Sequence, residues 1–185
     1  GLYWRWQHTT EMTDRVMNED ALKHIHDFDI SGGKPSVESL AGVLNISTNQ
    51  AADVISNLEA HDLIEMVGTD FKLTAAGHEY ALRIIRAHRI YERYLAEQTG
   101  FEEAEWHTKA HQFGHQLSPE DVEKLAFQLG NPTHDPHGDP IPMADGTVVY
   151  PADRTTITQL DPNMPARIIH MEDEPEAVYA QLVAE

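Results

Sequence analysis

The chain contains no cysteine. That excludes disulfide staples and thiolate metal sites, and it fits a cytoplasmic setting. Basic residues are also scarce, with 13 Lys and Arg against 31 Asp and Glu, a formal net charge of −18. Non-specific DNA binding rests on cationic side chains neutralising phosphates, so the generic electrostatic route to nucleic acid is missing. No apolar run approaches the roughly 18 residues of a membrane-spanning helix. The length of 185 residues, 41% of them hydrophobic, suits one large or two small globular domains. No signal peptide is visible, and a start at Gly1 rather than Met is expected of a piece of a longer protein. The opening Gly1-Leu2-Tyr3-Trp4-Arg5-Trp6-Gln7 sets aromatics beside Arg. This mixture suits either an aromatic staple on the first helix or a membrane span just upstream.

Histidine is abundant, with 12 residues, and its placement is not random. His88 and Glu92 are four apart, and His107, His111 and His115 follow at further intervals of four. Residues four apart share one face of a helix. Two consecutive helical segments therefore present walls of imidazole and carboxylate, a donor set suited to a divalent transition metal such as Mn, Fe or Zn.

The pattern along the chain is mainly α. An apolar stripe of Ala21, Leu22, Ile25 and Phe28 predicts a helix from Asn18 to about Phe28, broken by Ser31-Gly32-Gly33-Lys34-Pro35. Ser36 caps a helix to Leu44, Asn45-Ile46-Ser47 turns, and a second short helix runs from Thr48 to about Ala60. Residues 63–67 and 71–74, around Gly68-Thr69-Asp70, read as a hairpin. Helix, helix, turn, helix, hairpin is the layout of a winged helix-turn-helix. Thr74 starts a long helix to about Gln98, and another spans about Glu103 to Leu117. Ser118-Pro119-Glu120-Asp121 opens a third that Gly130 closes. Thr155 to Glu185 reads as strand, turn at Asp161-Pro162-Asn163, strand to Met171, then helix from about Glu174.

Several phrases now carry a family likeness: Ala87-His88-Arg89-Ile90-Tyr91-Glu92-Arg93, Trp106-His107 through His115, Leu117-Ser118, Gly130-Asn131-Pro132 and His137-Gly138-Asp139-Pro140-Ile141-Pro142. In their order and spacing they resemble the diphtheria-toxin-repressor family of Fe/Mn-dependent transcriptional regulators, over about Glu11 to Pro142. The resemblance implies a winged helix (residues 1–76) and a helical dimerisation and metal-binding domain (77–142). A linker with a partial SH3-like β module (143–185) follows, and the partner is a second copy of the chain. It also implies two metal sites. His88, Glu92 and His107 match the family's ancillary site, while Asp20, His111 and His115 match its primary site. Gly114 stands where a Glu ligand is usual, which removes one carboxylate from the second set.

For DNA, the expected recognition helix offers Ser47, Thr48, Asn49 and Gln50. Charge works against it. Between Ser36 and Ala75, Lys72 is the one basic residue against Glu38, Asp53, Glu59, Asp62, Glu65 and Asp70. Two functions follow from the resemblance. One is a metal-dependent DNA-binding regulator. The other is a cytosolic metal-sensing domain of a metal-transport permease, attached to an upstream membrane domain and retaining little DNA affinity. No enzymatic activity is expected: two-His-one-carboxylate sites also serve oxygenases, but this helical layout is not their setting.

Overall fold

The computed structural model describes residues 2–150, 155–171, 179 and 181–182, with side chains from residue 13 onward except that of residue 104. Among the described residues the main elements follow in order: α1 (Leu2–Ser31), α2 (Val37–Leu44), α3 (Thr48–Ala60), β1 (Ile64–Val67), β2 (Asp70–Leu73), α4 (Ala75–Gln98), α5 (Glu103–Gly114) and α6 (Pro119–Gln128). No described helix is long and apolar enough to cross a membrane. The chain divides into two compact units, residues 1–85 and 86–185, with the division falling inside α4.

Unit 1 is a winged helix. Its core joins Leu22 and Ile25 of α1, Leu40 of α2, Val54, Ile55 and Leu58 of α3, and Ile64, Phe71 and Leu73 of the hairpin. The predicted cap at Ser36 and the turn beginning at Asn45 are in place. Ser36 accepts the Ser39 N–H at 3.1 Å, and Asn45 ends α2 in the left-handed region at φ 52°. The hairpin pairs Ile64 with Leu73 and Glu65 with Lys72, so one face feeds the core and the other faces solvent. The helix α1 begins well before the expected Asn18. The aromatic opening, whose side chains lie outside the described residues, contributed no periodicity to that expectation.

Where α4 leaves the wing, Thr74 Oγ1 accepts the Gly77 N–H at 3.0 Å and donates to the Asp62 carbonyl at 2.6 Å. A methyl group on Gly77 would overlap the Leu63 carbonyl. Only hydrogen fits there, because the obstacle is backbone and cannot rotate away.

Unit 2 packs Ile90 of α4 against Val122 and Ala126 of α6 and Ile141 of the following loop. Ser118 and Pro119 open α6 as predicted. Arginines from α4 lash the loop down: Arg86 donates to the Pro142 carbonyl and forks onto Glu123 at 2.8 and 2.9 Å, while Arg89 donates to the Pro140 carbonyl at 2.7 Å. Two expectations need correction here. The helix α5 stops at Gly114, so His115 is its C-cap rather than a residue of a helix reaching Leu117. Residues 155–171 form no strand; they carry a short 3-10 helix at Ile157–Gln159 and otherwise irregular, mostly exposed backbone. A lone hairpin lacks the neighbouring strands that would pair its edges and cover an apolar face, so β pattern alone does not hold it. The expected helix from Glu174 falls mainly outside the described residues.

Gly77→Ala is expected to destabilise unit 1 by about 1–3 kcal/mol or more through the backbone overlap. Gly42→Ala, in α2 with nothing near its added methyl, should be neutral or stabilising by up to about 1 kcal/mol. Urea midpoints of the two variants check the contrast, and equal midpoints would contradict it.

Candidate metal centre

The helical period brings His88 and Glu92 together on α4, and α5 supplies His107 beside them. His88 Nε2 lies 3.1 Å and His107 Nδ1 3.2 Å from the same Glu92 oxygen, Oε1. The two imidazoles stand edge to face, 5.2 Å between centroids. Glu92 is 2% exposed and His88 8%. Burial alone would lift the Glu92 carboxyl, but hydrogen bonds from His107 and His88, with their charge, hold it well below the usual carboxylate range. Both imidazoles thus converge on one carboxylate oxygen. One ligand atom from each residue lies within 4.8 Å of the others, so a divalent cation could replace the shared protons as the positive charge between them. The donor set of two nitrogens and one carboxylate fits Zn, Fe(II) or Mn, with water completing the shell.

The other predicted ligands divide between the units. In unit 2, His111 and His115 stand edge to face, 5.3 Å between centroids, His115 buried at the end of α5 and His111 exposed. Asp20 belongs to unit 1, half-buried on α1 next to Glu19. Gly114, in place of the usual carboxylate, rests against the backbone of His88, 3.6 Å from its Cα to an added methyl.

Sequence reading missed Asp135, and noted His137 only as part of a family phrase. Both are buried, and a Glu92–Asp135–His137 set places ligand atoms within 4.8 Å of one another. The available signal was local: His134-Asp135-Pro136-His137-Gly138-Asp139 packs four residues of metal-ligand type, two His and two Asp, beside a proline. Asp135 Oδ1 accepts the N–H groups of His137 and Asp139 at 2.9 and 2.8 Å, tying the loop into a tight ring. Burial, then the Asp139 and Glu92 carboxylates, push the Asp135 carboxyl up to about 7, against the Asp139 N–H and Arg89.

The four residues expected to meet DNA lie exposed at the start of α3. Ser47 Oγ accepts the Gln50 N–H at 3.3 Å, and Gln50 Oε1 accepts from both the Ser47 N–H and hydroxyl, at 3.1 and 2.8 Å. Ser47 and Gln50 are therefore engaged in a helix cap. Lys72 of the wing pairs with Glu65 at 2.9 Å.

A winged helix in one unit is followed, in the next, by helices that bring two imidazoles to one buried carboxylate. Residues 74–143 match the family profile "Iron dependent repressor, metal binding and dimerisation domain", and over these residues the chain belongs to that family. It is 34% identical over 134 residues to the iron-dependent repressor IdeR of Mycobacterium leprae, a match covering 71% of this chain and 58% of that one. A solved structure, "Manganese-dependent transcriptional repressor complex with manganese", is 31% identical with a TM-score of 0.64, covering 71% of this chain and 63% of its own. A "Probable metal transport system membrane protein" of Chlamydia trachomatis serovar D is 38% identical over 72 residues, 39% of this chain and 16% of that one. The chain spans little more than half the length of the curated repressors it matches.

The Asp135 environment sets a pH dependence for the metal-free protein. Its folded pKa lies above its ordinary value of 3.8, so between about pH 4 and pH 7 the folded state keeps a proton that the unfolded state releases. Stability from this group is then full at low pH and falls as pH rises through the window. Asp135→Asn should remove that fall, worth on the order of a few kcal/mol. Chemical melts at several pH values in chelator measure it; a slope unchanged by the substitution would refute the assignment.

Proposed function

We propose that this chain is the DNA-binding and metal-sensing portion of a divalent-metal-dependent transcriptional regulator that acts as a homodimer. The observation that carries the reading is the convergence of His88 and His107 on buried Glu92, in the part of the chain that belongs to the iron-dependent repressor family. In this reading His88, Glu92 and His107 hold one ion. Asp20, His111 and His115 are the ligands of a second, and for Asp20 the assignment rests on the sequence resemblance. Bound ions supply positive charge that fixes the ligand-bearing helices. The protein's own part is to orient its imidazoles, exclude water around Glu92 and present α3 to the duplex. A domain boundary near residue 76, with the metal-binding helices following it, belongs to the same proposal.

The reading of bases falls to Ser47, Thr48, Asn49 and Gln50 at the start of α3. With Lys72 paired to Glu65 and acids dominating the wing, few counterions are released on binding. Affinity then comes from hydrogen bonds and the helix N-terminus. The second reading, a metal-sensing domain of a permease in the cytoplasm with little DNA affinity, is favoured by this acidic surface and by the likeness to the metal transport membrane protein.

Selection of duplexes from a random pool separates the two. The regulator reading expects a palindromic site enriched weakly and only with Mn present, to a similar degree at about 50 and about 150 mM salt because few counterions are released. No enrichment at either salt, with or without metal, would exclude it and leave the permease reading.

Replacing His88 and His107 together by Ala should abolish one bound equivalent of Mn or Zn in calorimetry, with far-ultraviolet circular dichroism reporting the retained fold. Unchanged stoichiometry in the folded double variant would remove this site. For the dimer, Phe127 on α6 is 77% exposed and Phe113 39%, an apolar surface of the kind that a two-fold contact covers. Analytical ultracentrifugation at micromolar concentration should find a dimer, and Phe127→Glu should shift it toward monomer. A monomeric parent protein would overturn the assignment.

A further inference from the structure

Three consecutive residues of α1, Asn18, Glu19 and Asp20, point in different directions around the helix, and the metal reading above uses only the last. We propose that Glu19 is a positioning residue. Held by Tyr80 of α4, it fixes the rotation of α1 about its own axis, so that an ion bound at Asp20 acts through Asn18 on α3. The proposal rests on the reading of Asp20 as a ligand of the second ion.

The contacts that carry it lie within unit 1. Glu19 is 4% exposed. Its Oε1 accepts from Arg15 Nε at 2.8 Å and from the Tyr80 hydroxyl at 2.9 Å, the latter 61 positions along the chain. Burial, then the Glu19 carboxylate, push the Tyr80 phenol up to about 12, so at neutral pH it keeps the proton it donates. The Arg83 guanidinium lies 5.3 Å from the centroid of the Tyr80 ring. Tyr80 also packs with Met17 and Ile84 against the core of the unit. One residue before Glu19, Asn18 Nδ2 donates to Asn57 Oδ1 at 3.1 Å. Asn57 belongs to α3, the helix whose first turn carries Thr48, Asn49 and Gln50.

Stability alone does not call for a carboxylate at this place. Apolar side chains of similar volume hold helices together as well as a buried charged pair does, and often better. A hydrogen bond adds direction. An apolar contact tolerates sliding and rotation, whereas the Tyr80 hydroxyl meets Glu19 within a narrow range of angles. Successive residues stand about 100° apart around a helix. Fixing Glu19 on α4 therefore also fixes the bearing of Asn18 and of Asp20. Arg15, one turn earlier on the same helix, supplies positive charge to Glu19; the phenol supplies the hold on α4. A pull on Asp20 is then resisted at Glu19 and passed to α3 at Asn18, instead of being lost as a rotation of α1.

The test uses the whole chain, zinc alone, and hydrogen–deuterium exchange read over α3 by mass spectrometry. Saturating zinc should slow exchange in α3 of the parent protein, and Asp20→Ala should lose one bound equivalent together with that slowing. Tyr80→Phe, which deletes a single hydroxyl, and Asn18→Ala should each keep the zinc stoichiometry of the parent and lose the slowing. Glu19→Ala should behave like Tyr80→Phe, and Glu19→Gln, which still accepts from Tyr80, should retain the slowing. A merely structural role would raise α3 exchange equally with and without zinc and leave the difference intact. That pattern in folded Tyr80→Phe and Asn18→Ala would overturn the proposal, and so would a parent whose α3 ignores zinc although Asp20→Ala loses an equivalent. Both outcomes leave the second ion site standing. An Asp20→Ala protein that binds as much zinc as the parent refutes that site, and the coupling with it.

Discussion

A single carboxylate, 2% exposed and met by two imidazoles, is the constraint around which unit 2 is arranged. A carboxylate in an apolar interior has a large desolvation cost unless positive charge and hydrogen bonds offset it. Glu92 meets that condition through His88 one turn earlier on its own helix and through His107 on the next. Helix α5 must therefore pass close to α4 at this level, and Gly114 against the His88 backbone shows how close the two come one step further on. The arginines of α4 then position the loop that carries Asp135 and His137. The chemistry of the site and the packing of the unit share one cause.

The acidic wing has a different logic. Its core is a conventional apolar cluster, so nothing in the fold of unit 1 required a surface poor in cations. Charge on that surface acts on association. Cations along a reading helix hasten encounter and add affinity without regard to sequence. A winged helix that lacks them gives up non-specific retention and leans on contacts at the helix start, where Ser47 and Gln50 already satisfy each other. Releasing that cap in exchange for a base or phosphate contact forgoes about 1 kcal/mol of helix stabilisation, a further brake on indiscriminate binding.

Local rules made most of the architecture legible. Ser36 and Ser118 each cap a helix where the pattern of polar residue and apolar stripe places one, and the hairpin falls where two short β-rich runs flank Gly68. The His88–Glu92 pairing follows from helical period alone. Long-range features were not legible in the same way. Asp135 lies more than 40 positions from Glu92 with no period connecting them, and it reaches the site through the ring its own carboxylate makes with the His137 and Asp139 amides. The expected strands near Thr155–Met171 show the opposite failure. Alternating residues give a strand its pattern, but neighbouring strands give it stability.

The far end of the described chain is not idle. Gly138 adopts φ 95°, and any side chain there would strike the Ile169 carbonyl, so the segment around Ile169 rests directly on the loop that carries His137. His170 lies 3.4 Å from Asp139, and Met171 bonds back to the His137 carbonyl. Whatever holds that loop still also favours this docked segment, and the preference is reciprocal. An exposed stretch such as residues 155–168 is where a protease cuts first. Its rate of cleavage becomes a gauge of how firmly the loop is held, read some 20 residues from the nearest imidazole of the site.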